Sequence, residues 1–338
     1  MTENHDITRV YTIFAGKFRR YHGESFLQHL ADVATILKNI RDFFLLLLGL
    51  VQSFFLLIRL KPDAVFIKGG FVGVPIGYAC ALLRIPYSIH DSDTVPGLAN
   101  KLISRWARVH ATGMPTEFYA TTPKLKYVGI PLAPEYTKVD ADEQKKYRRT
   151  INVPETAQLI CITGGSLGAL QLNNAVHAVA AKLLTKNPDL YIFHQTGGQP
   201  DNLYADLPAD LKNRVIEQSF VDNLFAYVGA ADLVIARAGA TTIAEIGAMH
   251  KACILVPGAQ LTGGQQPKNA AHSQQKDAAV VITQQESLRT DQFFTAISDL
   301  LHDKQQRAVL AINLSRLIKT NAAAEIADMI INQAQDRS

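Results

Sequence analysis

The chain has little cysteine, a single tryptophan and modest charge, and these shortages narrow what it can be. Its three cysteines, Cys80, Cys161 and Cys253, all sit in apolar runs and none has a close partner in sequence. That spacing argues against a disulfide scaffold or a Cys-x-x-Cys motif and fits reduced, buried thiols in a cytoplasmic protein. Charged residues make up 19% of the chain and the formal net charge is +4. With no dense Lys/Arg stripe and no interleaved aromatics, a nucleic-acid partner is not expected. The mild basicity suits an anionic lipid surface or a phosphorylated ligand. No uninterrupted apolar run reaches the ~20 residues of a membrane span. The longest, Phe43 to Ile58, is broken by Gln52-Ser53 and flanked by Arg41, Arg59 and Lys61. Met1 to Asp6 is polar, so no secretory signal opens the sequence. Internal repeats and low-complexity tracts are also missing.

What is present is ordinary globular composition at a length that suits two domains. Val10-Tyr11-Thr12-Ile13-Phe14 reads as a short strand, followed by a basic loop with Lys17, Arg19 and Arg20. Ser25 to Leu60 has helical periodicity. Its apolar part fits a buried or half-exposed helix, a helix whose outer face rests on a bilayer interface with the flanking cations on lipid phosphates, or a true span. A strand through Val65-Phe66-Ile67 ends at Gly69-Gly70, a helix covers Val74 to Leu83, and a strand covers Pro86 to His90. After Pro131 the text turns polar, and the charged stretch Lys138 to Arg149 reads as a linker. A second alternation begins at Leu159, with strands at Leu159 to Thr163, Tyr191 to Gln195, Val215 to Glu217 and Leu233 to Ala236. Strands alternating with helices predict parallel sheets covered on both faces, so the fold class is α/β with two Rossmann-like units facing a cleft.

Chemistry concentrates in the second unit. Thr163-Gly164-Gly165-Ser166-Leu167-Gly168-Ala169 joins a strand to a helix, where glycines allow close backbone approach and a helix N-terminus favours an anion. The turn is neither a P-loop nor a clean dinucleotide fingerprint, and a plain tight turn is the competing reading. Arg237-Ala238-Gly239-Ala240-Thr241 is a second such turn, with Glu245 placed in the helix behind it. A carboxylate there can accept from two ribose hydroxyls, and the paired amides Gln265-Gln266 after the next strand can donate to and accept from sugar hydroxyls. Arg237 either neutralises phosphate or braces its turn. Leu170 to Asn174 reads as helix start and cap. His194, at a strand end, reads as structural. Asp91-Ser92-Asp93 has the look of a metal motif, but turn chemistry explains it equally, and neither a metal nor a cofactor is expected.

Carried by Gly164 to Ala169, Phe220-Val221-Asp222-Asn223, Arg237 to Thr241 with Glu245, and Gln265-Gln266 with Asn269, the chain resembles the MurG-type N-acetylglucosaminyltransferases of glycosyltransferase family 28. Gly69 to Pro75 and Pro96-Gly97-Leu98-Ala99-Asn100 add to the likeness, which runs from about Val10 to the end. The resemblance implies a GT-B fold, with residues 1–136 as an acceptor and membrane-side domain, 137–317 as the UDP-sugar domain, and 318–338 packing back on the first. It implies inverting transfer of GlcNAc from UDP-GlcNAc to lipid-linked muramoyl-pentapeptide in peptidoglycan synthesis, at the cytoplasmic side of the cell membrane. By position, Gly165, Ser166 and Gly168 would hold the diphosphate, Phe220 and Val221 would border the uracil, and Glu245 would bind the ribose. Gln265 and Gln266 would read the sugar with Asn269 nearby, and Asn100 would approach from the N-terminal domain.

The departures define an alternative. Members of that family begin with a Gly-rich loop ending in His, the proposed general base, and no matching segment is found here. The family's His-Glu-Gln-Asn stands as His90-Asp91-Ser92-Asp93, and its Gly-Asn-Pro-Val-Arg as Gly129-Ile130-Pro131-Leu132-Ala133, without the cation. His90 is a candidate substitute base, against the reading of a structural histidine. The N-terminal domain is therefore expected to be truncated. The alternative function is a donor-binding subunit, inactive until a protein partner supplies the loop and base.

Overall fold

The computed structural model describes residues 9–17, 33–165, 168–198, 202–258 and 264–336. The chain divides into two compact units, Met1–Val128 with Ala323–Ser338, and Gly129–Ala322.

In the first unit, helix α1 (Val33–Leu60) precedes β1 (Val65–Ile67), α2 (Gly73–Leu83), β2 (Tyr87–Asp91), α3 (Leu98–Ile103), β3 (Val109–Thr112) and β4 (Leu125–Tyr127). The four strands form one parallel sheet in the order β1-β2-β3-β4. Alternate residues face opposite sides of a strand. Ile67, Tyr87 and Ile89 accordingly pack with Leu57, Val74, Cys80 and Ile103 under the helices, while Ala111 and Val128 meet Ile326 and Met329 of the C-terminal helix. That helix is further tied down by Gln333, which donates to Ser88 Oγ, and by the pair Arg108–Asp336 at 3.0 Å.

The expected strand at Val10–Phe14 is not formed. The segment instead lies along α1, where the Gln52 side chain stands in for a strand neighbour: its Oε1 accepts from Phe14 N–H at 2.9 Å and its Nε2 donates to Thr12 O at 2.8 Å. This accounts for a polar residue inside the apolar run of α1. Gly49 lets the segment approach, since a Cβ there would lie 1.9 Å from the Phe14 carbonyl oxygen. Arg19 and Arg20 of the basic loop lie outside the described residues. One described helix, Leu37–Leu60, is long and apolar enough to cross a membrane, and few of its residues are buried. Leu46, Leu50, Phe54 and Leu57 turn inward, whereas Ile40, Phe44, Leu48, Val51, Phe55 and Ile58 are exposed.

The second unit holds α4 (Ala141–Thr150), β5 (Gln158–Thr163), α5 (Leu170–Lys186), β6 (Leu190–Gln195), α6 (Ala209–Lys212), β7 (Val215–Gln218), α7 (Leu224–Ala230), β8 (Leu233–Ala236), α8 (Ala240–Ala248), β9 (Cys253–Leu255), α9 (Gln265–Gln275), β10 (Val280–Val281), α10 (Gln284–Ser287), α11 (Thr290–His302) and α12 (Lys304–Arg316). Its sheet is parallel in the order β10-β9-β8-β5-β6-β7. Strands covered on both faces read as continuous apolar runs. Ile160, Ile162, Ile192 and Ile235 pack with Val176, Leu183, Phe293 and Ile297 on one side. Leu159, Cys161, Phe193 and Val234 pack with Tyr227, Ile243 and Leu314 on the other. All three cysteines are buried free thiols, and burial pushes Cys253 up to about 12.

The charged stretch expected to be a linker is largely α4. Asp140 accepts from the N–H groups of Asp142 and Glu143, and the Glu143 side chain returns the bond, so a capping box starts a helix that its apolar content alone does not announce. Arg148 then reaches inward. Its Nη2 lies 2.6 Å from Asp232 Oδ2, Nε donates to Ala230 O and Nη1 to Glu155 O. The same Asp232 oxygen accepts from Leu159 N–H at 2.8 Å. These bonds join α4, α7, β5 and β8 at the amino ends of the strands. Asp232→Ala leaves a buried guanidinium unpaired and should cost about 3 kcal/mol in urea unfolding. Affinity for ligands at the far end of the sheet should be unchanged.

Candidate functional site

In doubly wound sheets ligands bind outside the carboxyl ends of the strands, where the strand order reverses. Here the reversal lies between β5 and β8: the chain leaves β5 towards β6 and β7, and returns to place β8 on the other side of β5. Thr163 is paired with Ala236, so the turn after β5 and the turn after β8 are neighbours.

Both turns lead into helices whose N-cap residues make no side-chain capping bond among the described residues. The residues before α5, α8 and α9 are Ala169, Gly239 and Gly264, and none supplies a capping oxygen. By contrast α4 and α10 start with full capping boxes. The N-terminus of a helix carries partial positive charge. A cavity of about 230 Å³ lies at this point, lined by Gly164, Gly168, Ala169, Gln171, Arg237, Gly258, Gln266 and Gln284.

Backbone geometry explains the glycines. Gly168 has φ +72°, and a Cβ there would fall 2.2 Å from the Thr196 carbonyl oxygen. Gly165, at φ +84°, donates to Thr163 Oγ1, and its carbonyl accepts from Gly168 N–H at 2.9 Å. Ser166 and Gly263 lie outside the described residues.

Each remaining candidate has a definite place. Arg237 Nη1 donates to Val256 O at 3.0 Å, so the guanidinium braces its turn while lining the cavity, and burial lowers its pKa. Gln266 Oε1 accepts from Gly258 N–H at 2.8 Å, which leaves its Nε2 as the donor end. Gln265 opens α9 beside it. Glu245 is half-buried in α8 and accepts a hydrogen bond from the Tyr136 hydroxyl. Phe220 is exposed, whereas Val221 belongs to the core. Asn269, expected beside the sugar, is wholly buried and donates to Ala238 O at 3.1 Å, so it fastens α9 to the turn after β8.

In the first unit Asn100 is also buried, with Nδ2 donating to His90 O at 2.9 Å. His90, the candidate base, is wholly buried, its ring 6.3 Å from Phe66. Such burial fits the reading of a structural histidine. Of the Asp91-Ser92-Asp93 motif, Asp91 accepts from Gly97 N–H and pairs with His110 Nε2 at 2.7 Å, while the Asp93 carbonyl accepts from Tyr119.

Three participants escaped the sequence reading. Gln171 passes for part of a helix start, Gln284 has no motif around it, and Tyr136 lies in the polar text after Pro131. Nothing in their local sequence signals the cavity or Glu245.

The C-terminal domain of glycosyltransferase family 28 matches residues 159–330, and the family's N-terminal domain matches residues 12–112. A Borreliella burgdorferi protein named UDP-N-acetylglucosamine–N-acetylmuramyl-(pentapeptide) pyrophosphoryl-undecaprenol N-acetylglucosamine transferase is 30% identical over 99% of this chain and 85% of its own length. A Listeria monocytogenes protein of the same name is 31% identical over 88% of this chain and 81% of its own. The chain belongs to glycosyltransferase family 28. The crystal structure of Acinetobacter baumannii MurG matches with a TM-score of 0.66 at 28% identity, covering 86% of this chain and 79% of that one. Anabaena HepE, solved with UDP-glucose, shares the fold alone, with a TM-score of 0.57 at 15% identity. Two parallel-sheet α/β domains are the GT-B architecture of these family 28 transferases. Gly168→Ala in this family 28 chain forces a side chain into both a positive φ and the Thr196 carbonyl, and should reduce UDP affinity at least about tenfold, read by calorimetric titration.

Proposed function

We propose that this chain moves GlcNAc from UDP-GlcNAc, with inversion, onto the lipid-linked muramoyl-pentapeptide of peptidoglycan synthesis, the step that completes the disaccharide precursor of the cell wall. The observation that carries the reading is the cavity at the β5–β8 reversal, where the starts of α5 and α8 meet the amide side chains of Gln171, Gln266 and Gln284 and the half-buried Arg237. Such a site suits a diphosphate joined to a sugar. The names of the relatives supply the acceptor.

In this reading the turn of Gly165, Ser166 and Gly168, with the start of α5, holds the diphosphate. Arg237 lies at its edge. Glu245, held by Tyr136, grips the ribose; Phe220 and the backbone at Val221 border the uracil. Gln266 offers its NH2 to a sugar oxygen, with Gln265 beside it and Asn269 keeping α9 in place. Asn100 serves the acceptor side. The acceptor's C4 hydroxyl forms a bond to the anomeric carbon as the bond to the diphosphate oxygen breaks; the hydroxyl's proton passes to water, and UDP departs with that electron pair. The charge it gains falls on preorganised amides, the kind of stabilisation that needs no reorganisation during reaction.

The exposed face of α1 is assigned to the cytoplasmic membrane surface. Exposed Phe44, Leu48, Val51 and Phe55 would enter the headgroup boundary, with Arg41, Arg59 and Lys61 on lipid phosphates.

Incubation of the purified chain with radiolabelled UDP-GlcNAc and the lipid-linked acceptor tests the reading. Transfer of label to lipid supports it. Donor binding without transfer would reduce the chain to the alternative, a donor-binding subunit, and absence of donor binding would refute both. Gln266→Ala should weaken UDP-GlcNAc more than UDP, whereas Glu245→Ala should weaken both alike; the reverse pattern would exchange their assigned partners. The double change Leu48→Glu with Phe55→Glu should release the protein from anionic vesicles in a sedimentation assay while leaving UDP affinity unaltered.

A further inference from the structure

Beneath the turn after β5 runs a line of buried polar side chains that no step above uses. Tyr204, His194, Asn173 and Thr196 are each at most 1% exposed. His194 Nδ1 lies 2.7 Å from the Tyr204 hydroxyl, and His194 Nε2 lies 3.1 Å from Asn173 Oδ1. Asn173 Nδ2 donates to the Thr196 carbonyl at 2.8 Å.

The direction of every bond follows. Asn173 must turn its NH2 to the Thr196 carbonyl, so its oxygen faces the imidazole and accepts from Nε2–H. Burial holds His194 down to about 3, so the ring is neutral with one proton, and Nδ1 accepts from Tyr204. The foot of the chain is the carbonyl that a Cβ on Gly168 would strike. Asn173 also donates its own N–H to Ala169 O in the first turn of α5. At the outer end Glu217 fixes the backbone of Tyr204 by accepting from the N–H groups of Asn202, Leu203 and Tyr204.

We infer that Tyr204, His194 and Asn173 are positioning residues for the diphosphate: a one-way hydrogen-bonded strut that locks the end of β6 to the start of α5 and so sets the height of the Gly168 turn. The inference rests on the donor-site reading above. A neutral-neutral chain of this kind orders a site without bringing an uncompensated charge beneath it.

The test is calorimetric titration of the intact protein with UDP and with uridine, which differ by the diphosphate. Wild type should prefer UDP strongly. His194→Phe breaks both central bonds and should lower UDP affinity about tenfold while uridine affinity stays within about twofold. His194→Gln can accept from Tyr204 through Oε1 and donate to Asn173 through Nε2, and should retain the UDP preference. Should His194→Phe fail to fold, Tyr204→Phe removes one oxygen and should lose a smaller part of the preference in the same direction. An equal loss for UDP and uridine, no loss, or failure of the glutamine to rescue would overturn the strut. A wild-type protein that binds UDP and uridine alike would overturn the donor-site reading and the strut with it.

Discussion

Everything at the functional end of this molecule depends on one constraint: where β8 lies beside β5, helix N-termini arrive at the carboxyl edge of the sheet without side-chain caps. The first N–H groups of a helix have no partner within it and must find one in a side chain, water or a ligand. The turns that deliver these helices have spent their side chains on other work. Glycines allow the close packing of backbone on backbone, and Arg237 and Asn269 brace the turn after β8. What remains around the cavity is the partial positive charge of the helix starts, matched in sign to a diphosphate.

The opposite end of the same sheet is built the other way. There Asp232 is answered by Arg148 and by the Leu159 amide, and the Ala231 carbonyl by Gln144 and Lys251. Burial pushes the Lys251 ammonium down to about 8, which marks how far it has been taken from water. Polar groups are satisfied at the amino ends, whereas the helix starts at the carboxyl ends beside the cavity have N-cap residues that make no side-chain capping bond. This separation lets a loss of stability at one end be told apart from a loss of binding at the other.

Much of this was legible in the sequence because it follows from periodicity and glycine placement. The strands β5, β6, β7 and β8 and the two Gly turns are read within a residue or so, since buried parallel strands and strand-to-helix glycines leave a plain trace. The failures have physical causes. Val10–Phe14 has strand composition, but its backbone partners come from the Gln52 side chain, a pairing that no periodicity reveals. Lys138 to Arg149 lacks an apolar face, yet a capping box and an inward arginine make it a helix. Tyr136 reaches Glu245 from a segment without any pattern. Side-chain direction, unlike element type, is decided by contacts distant in sequence.

The central claim is that backbone amides at the carboxyl edge of the second unit's sheet are the diphosphate receptors. Titrating UDP into isotope-labelled protein while following amide resonances tests it most directly. The account requires saturable shifts at Gly165, Gly168, Ala169, Gly239 and Ala240, with Leu159, Ala231 and Asp232 at the far end unmoved. Shifts confined to residues elsewhere, or none at saturating UDP, would contradict it.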